Sequence, residues 1–398
     1  MLVPETVPTA DVLARRLFRC LPRTDQRRWA RAYLDGLVTT PGKKSVRNMA
    51  RSAGTFETAS QSLHQIVNSS TWQWDPVRRE LAAWCGERAR VHALRMVPVV
   101  IPKRGECSAG VHRRFDPAGG RTLSCQLALG MFLVTDRGCV PVDWRLSLPG
   151  RWSEDAGLRR RARIPAGART GLPSRLGLDL VDAAAAHPAT AGVPVVADGR
   201  LDAPQETARL IAGLAERGLG FAVSVPATLP VLCGPPGDRT VRTTPVAHLV
   251  QALGPAAAHP AYAAHPAHPA HPAHPARPAR PPARVGPPYP GLLPRRAPAV
   301  VRIPGVARPL ALLTQCGPDA AHPTRYWLAG TDGASAALAR MGAAELPMDV
   351  LEDCGLRDFE GRSFPGWHRH MTFVAAAAAH RLLGPGAARP AHHPALSG

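Results

Sequence analysis

Acidic residues and lysine are both scarce in this chain. It carries 29 Asp and Glu against 49 Lys and Arg, a formal net charge of +20, and only Lys43, Lys44 and Lys103 among the bases are lysines. The preference for arginine follows from the arginine, alanine and proline excess that a GC-rich genome imposes; the shortage of acids does not. An acid-poor surface favours a polyanionic partner, nucleic acid ahead of a membrane. Long apolar runs are missing too: none approaches the ~18 residues of a spanning helix. The N-terminus MLVPETVPTADVLARRLF carries acids early and no apolar stretch of signal-peptide length. The eight cysteines (Cys20, Cys85, Cys107, Cys125, Cys139, Cys233, Cys316, Cys354) are scattered without a C-x-x-C pair, which excludes a zinc ribbon and disfavours a disulfide framework. These absences predict a soluble protein of the reducing cytoplasm, associated with the nucleoid and with no membrane partner. At 398 residues the chain exceeds one core, so two or three structural units are expected.

What is present begins with helix. Residues 1–95 read as a basic helical module and a candidate DNA-contacting unit; residues 1–114 hold 20 Lys and Arg against 9 Asp and Glu. In TDQRRWARAYLDGLV, Thr24 or Asp25 is the expected N-cap, Trp29, Tyr33, Leu34 and Leu37 share one face, and Arg27, Arg28 and Arg31 lie mostly on the other. Two short helices follow in KKSVRNMARSAG and ASQSLHQIVNSS, a helix-turn-helix-like rhythm that an ordinary helical cap with a solvated basic face would also produce. Over 96–225 the period changes. Three apolar or alternating segments (MVPVVIP, TLSCQLALGMFLV, CVPVDWRLSLP) precede helix, strand (VPVVAD), helix and strand (GFAVSVP). That order predicts an α/β fold with a mixed sheet.

Residues 226–324 interrupt the pattern. No acid occurs from Arg239 through Pro318, where nine arginines do. Within about 256–298 lies a His-Pro-Ala-rich tract with His265, His268, His271 and His274 at every third residue. A polyproline II helix would set these histidines along one edge, although a solvated or disordered linker needs no such role for them. Family-like residues return over 325–385, and 386–398 read as a disordered tail.

Nine segments in order carry a resemblance: RRWARAYLDGLV, KKSVRNMA, ALRMVPVVIPKRG, SAGVHRRFDPAGGRTLSCQLALG, VDWRLSLPGRW, RRRARIPAG, GVPVVAD, RYWLAG and GLRDFEGRSFPGWHRHMT. Together they resemble the actinobacterial-type insertion-sequence transposases with a DDE, RNase-H-like catalytic domain. The resemblance implies an RNase-H-like mixed sheet behind an N-terminal helical module, with a β and loop insertion, and cutting and joining of double-stranded DNA with Mg²⁺. Two divalent cations would flank the reacting phosphate, one activating the attacking oxygen and one stabilising the leaving oxygen. Hard cations of this kind need carboxylate oxygens, so three acids on separate elements must converge.

Two of the three acid positions do not match the pattern. Family members place a pair of aspartates before Thr-Gly-Phe-Pro-Lys; aligning Pro102-Lys103 without a gap puts Val97 and Pro98 there. The second acid is present as Asp198, at the end of the strand-like VPVVAD, the residue the resemblance assigns to metal. Counting back from GLRDFEGRS puts the helical arginine at Arg340, the glutamate position at Ala344 and the lysine position at Leu351. Glu345 is one residue away, about 100° round a helix, and Pro347 should end that helix. Glu360 is a further candidate acid, and Glu106 is the nearest acid downstream of Val97. The resemblance thus implies a degenerate site of Asp198, Glu345 and Glu360 that binds Mg²⁺ weakly or not at all.

The expected DNA-contacting set is Arg27, Arg28, Arg31, Lys43, Lys44, Lys103, Arg104, Arg159, Arg160, Arg161, Arg340, Arg362, His368, Arg369 and His370. In RSFPGWHRHMTF the resemblance starts a last helix at Phe-Pro-Gly and packs Trp367 on the sheet. His368 and His370 stand two apart and face different ways on a helix, which disfavours a joint metal site. Three functions stay open: a catalytically impaired transposase-family DNA-binding protein, an active transposase rescued by Glu106, Glu345 or Glu360, and a recruited regulator or protein-binding scaffold using the proline-rich segment. A homodimer is compatible with each.

Overall fold

The computed structural model describes residues 10–52, 56–116, 120–168, 173–197, 204–233, 242–253, 259–260, 294–316, 323–330, 337–338 and 345–385. Most of the His-Pro-Ala tract, the 386–398 tail and Asp198, Arg340 and Ala344 lie outside these residues.

Five helices open the chain: α1 (Asp11–Leu17), α2 (Thr24–Thr39), α3 (Val46–Ser52), α4 (Phe56–Asn68) and α5 (Trp74–Gly86). In α2 the buried face is Ala30, Tyr33, Leu34, Leu37 and Val38, the helical spacing expected of it. Its N-cap is Arg23 rather than Thr24 or Asp25, and no side chain caps it. The Thr24 hydroxyl instead accepts from Arg27 Nη2 at 2.9 Å. Gly36 lets α3 approach closely, because a Cβ there would lie 3.0 Å from Met49 Sδ.

These helices gather round the C-terminal helix, Phe364–Leu383. Ser363 caps it by accepting from Gly366 N at 3.1 Å. Nearly every residue of this helix is buried, including the alanine run 375–379, so small side chains serve where helices press from several sides. Phe373 is the aromatic centre, with ring centroids 4.6 Å from Tyr33, 5.2 Å from Phe18 and 5.5 Å from Trp72. His370 bridges the layers: Tyr33 donates to Nδ1 at 2.9 Å, and Nε2 donates to Gly355 O at 2.8 Å.

The sheet runs in the order β2-β3-β1-β5-β6-β12-β11-β10-β9, and β4 also pairs with β3. Its strands are β1 (Val91–Pro102), β2 (His112–Asp116), β3 (Arg121–Thr135), β4 (Gly138–Leu146), β5 (Val195–Ala197), β6 (Phe221–Val225), β9 (His259–Pro260), β10 (Pro294–Val301), β11 (Leu310–Cys316) and β12 (Pro323–Ala329); β7 (Pro230–Cys233) and β8 (Arg242–Pro245) form a separate hairpin. β3 is antiparallel to β1 and β4, whereas β5 runs parallel to β1 and β6. This mixed α/β sheet is RNase-H-like, with β4-β3-β1-β5-β6 as its heart. β12, most of it in the returning segment after 324, pairs with β6, and β11 and β10 of the insertion continue the same sheet beyond it.

Helices α8 (Pro173–Ala185) and α9 (Pro204–Glu216) cover one face. Gly177 brings α8 onto β1, since a Cβ there would lie 2.8 Å from Met96 Sδ. On the other face Ala93, Val134, Val196, Ala222, Trp327 and Ala329 form a second cluster closed by Ala337 and Leu338. Among the described residues no helix is long and apolar enough to cross a membrane.

The helical layer and the sheet meet at Arg78, which is 3 % exposed. Its guanidinium donates to Asp143 Oδ1 (2.6 Å), Trp144 O (2.7 Å), Thr372 Oγ1 (2.8 Å) and His368 O (2.8 Å). One side chain of α5 therefore holds β4 and the C-terminal helix. Removing one partner of a buried ion pair costs about 3–5 kcal/mol, so Arg78→Ala is expected to shift the denaturation midpoint strongly. The exposed Arg160→Ala should stay within about 0.5 kcal/mol of the parent. Equal midpoints for the two variants in urea would show that Arg78 does not carry the joint.

A pH dependence follows from His370. Burial pulls its pKa down to about 4, whereas an unfolded histidine titrates near ~6.5. As pH falls below about 6.5 the unfolded chain takes up the proton first, so stability is expected to decline until about pH 4. Burial depresses His368 as well, which acts in the same direction. Urea midpoints measured across this window should fall, and His370→Gln should flatten the slope by about one proton.

Candidate nucleic-acid and metal-binding site

Strand β1 sets the geometry in which convergent acids would have to stand. Met96 is paired with Ala197, the last residue of β5. The residue after it in sequence, Asp198, lies outside the described residues. Side chains alternate along a strand, so Ala93, Arg95 and Val97 share one face, with Val196 of β5 opposite Arg95. This is the face that Ala337 and Leu338 close.

Val97 is 7 % exposed and pairs with Gly130 of β3. Aromatic rings fill the space there: a Cβ on Gly130 would lie 2.7 Å from the Trp144 ring and 2.8 Å from the Phe132 ring. Arg95, half-buried on the same face, sits about 7 Å along the strand from Val97 by strand geometry. Its Nη1 lies 3.8 Å from Cys139 Sγ. Pro98 is half-buried and belongs to the opposite face. A buried valine and a proline supply no oxygen ligand, so positions 97 and 98 do not fit the carboxylate role of a two-cation centre.

The other described candidate acids stand at the surface. Glu360 is exposed and forms an ion pair with Lys43 at 2.7 Å. Glu345 is exposed, two residues before Pro347, which is the N-cap of the short helix Met348–Asp353. Leu351, at the family's lysine position, is fully buried in that helix. Glu106 is exposed, 3.5 Å from Arg151. Among the described residues no group of three His, Cys, Asp or Glu side chains is arranged to hold a metal ion.

The basic residues divide sharply. His368, Arg369 and His370, read from the sequence as DNA-contacting, are buried. Arg369 donates to Val67 O (3.0 Å) and Trp72 O (3.1 Å), satisfying carbonyls at and beyond the last turn of α4. His368 receives Arg78 Nη2 at Nδ1 and stacks on Trp74 with centroids 4.7 Å apart. Side chains so committed have no reach to phosphate. Lys44 is also buried, with Nζ on Thr40 O. Lys103 donates to Phe359 O at 3.0 Å, and burial pulls its pKa down to about 8. Arg27 spends its donors on Leu21 O, Pro22 O and Thr24. Arg159 binds three carbonyls, of Trp152, Pro165 and Ala168.

The exposed remainder includes a band on adjoining segments, Arg104, Arg160, Arg161 and Arg362. Arg28, Lys43, Arg104, Arg160, Arg161 and Arg362 face outward, with Arg31 half-exposed. Main-chain bonds stitch three of the segments together: Ala109 N donates to Arg362 O (3.0 Å) and Phe364 N to Ala162 O (2.8 Å). The turn at 361–364 thereby joins the base of the β2–β3 hairpin to the end of α7 (Ala156–Arg161). Arg163 was missed by sequence reasoning, yet it is the sole described non-glycine residue with positive φ, at 53°. It turns back to bond Asn68 O and, at 3.0 Å, Ser363 Oγ. Its signal in the sequence was faint, a fourth arginine after a helix end. Arg113, exposed on β2, was missed as well.

No curated protein matches the chain. The family model described as DDE superfamily endonuclease matches residues 16–247, which run from α1 through β1, β5 and β6 into α10 (Val246–Leu253). That span is more than half of the chain and contains β1 and β5, which carry and precede the first two acid positions; the chain belongs to the DDE superfamily endonucleases.

Proposed function

We propose that this chain is a transposase-type, DNA-binding member of its family in which strand cleavage is impaired. The observation that carries the reading is Val97, a buried valine paired with Gly130 of β3 where the first acid pair would begin. The family's divalent-metal chemistry uses carboxylates to hold two cations against the reacting phosphate. Val97 and Pro98 offer no oxygen ligand. Double-stranded DNA is the expected partner, held by the exposed arginine band. A decayed mobile-element copy and a recruited regulator would share these properties.

Losing ligands of either ion removes several kcal/mol of transition-state stabilisation, and each ~1.4 kcal/mol is a factor of ten in rate. The purified protein is therefore expected to leave supercoiled DNA intact in Mg²⁺ or Mn²⁺, with Asp198→Ala indistinguishable from the parent. Combining V97D, P98D and A344E is the informative gain-of-function variant. Metal-dependent nicking by the unmodified protein that vanishes in Asp198→Ala would establish the active-transposase alternative instead.

Binding is expected to be electrostatic. The affinity for duplex DNA should fall with salt at a log–log slope of about −0.9 per phosphate neutralised. Changing Arg160, Arg161 and Arg362 together to Gln should weaken all duplex sequences alike and reduce the slope by about three contacts. A slope near zero in the parent protein would remove the DNA-binding reading.

A further inference from the structure

Among the large apolar side chains of the described residues only Val12, Val100 and Phe115 are exposed, and Phe115, at 59 %, is the only aromatic one. It stands on β2, the short strand that ends the sheet. The register places it opposite Thr122, and places Arg113 opposite Ser124 on the same face. Lys103 N donates to Ser124 O at 2.9 Å, so this face continues toward the end of β1 and the Lys103–Phe359 contact.

The neighbours decide what this ring can bind. Arg113, Thr122 and Ser124 surround Phe115 with polar groups, so it is not part of an apolar patch that would seat a protein core. A single exposed ring beside a guanidinium suits a planar, electron-rich partner on an anionic chain, which describes a nucleobase with its phosphate. The base of the same hairpin is bonded to the Arg362 turn through Ala109, at the end of the arginine band. In a paired duplex each base face is covered by its neighbours, so only an unpaired base presents a face to a side chain.

We propose that Phe115 is a stacking platform for an unpaired nucleobase, with Arg113 on the adjoining phosphate and the duplex beside it on the arginine band. This rests on the DNA-binding reading above. It assigns the β2–β3 hairpin to recognition of distorted or terminal DNA, in contrast to the sequence-independent grip of the band.

The test compares three labelled DNAs by fluorescence anisotropy: a fully paired duplex, the same duplex with one unpaired base, and that duplex with the unpaired position abasic. The full-length protein should bind the unpaired-base duplex about tenfold or more tightly than either of the others. Phe115→Ala should lose this preference while keeping its affinity for the paired duplex and its melting temperature. Phe115→Trp should keep the preference and show quenched tryptophan emission on binding. If the protein binds paired duplex but Phe115→Ala retains the parent's preference, or the parent has none, the stacking role is wrong and the DNA reading stands. Binding to none of the three overturns both. A change in sedimentation of Phe115→Ala with unchanged DNA affinities would make Phe115 a contact between protein copies and overturn the proposal.

Discussion

The guanidinium of Arg78 joins three elements that are far apart in the chain. It reaches from α5 to Asp143 and Trp144 on β4 and to His368 and Thr372 on the C-terminal helix. Asp143 is held in turn by Arg145 at 2.7 Å and by the Trp144 main-chain N–H at 2.6 Å. A charge buried to this degree is tolerable only when each donor has an acceptor. The helical layer, the sheet edge and the C-terminal helix must therefore be correctly docked together for Arg78 to be satisfied. The opening helices and the last helix accordingly form one layer, in which Tyr33, Trp72 and Phe18 converge on Phe373.

This joint is independent of carboxylates at positions 97 and 98. Carboxylates clustered at a metal site repel one another and require cations to remain ionised. An apolar residue at position 97 has no such requirement and is buried in the core. Neither the Arg78 hydrogen bonds nor the ring contacts of Phe373 involve the side chain of Val97 or Pro98. A fold held by such contacts does not prescribe the chemistry of its site.

Arginine serves two opposite purposes here. Arg78 and Arg369 sit inside and satisfy carbonyls and a carboxylate, whereas Arg113, Arg160, Arg161 and Arg362 stand in water. The planar guanidinium, with five donors, can close several main-chain carbonyls at once. A net charge of +20 thus overstates the charge available to a partner.

The amino-acid sequence alone determined the opening helices, the main strands and helices between 96 and 225 and the last helix, because apolar spacing of 3.6 and 2 residues reports which face each element buries; it did not place β2 or the strands of 226–329. It also determined that Val97 and Pro98 cannot ligate a cation, since that follows from side-chain chemistry. Tertiary structure decided the rest. Whether Arg369 or Arg362 meets solvent depends on carbonyls at Val67 and Trp72, some 300 positions away, and no local pattern separates two arginines seven residues apart. The basic stretch His368-Arg369-His370 reads as a nucleic-acid face by composition, yet packing of α2, α4 and α5 round the C-terminal helix turns it inward. Burial is a property of what lies opposite, and the chain supplies that only once it has folded.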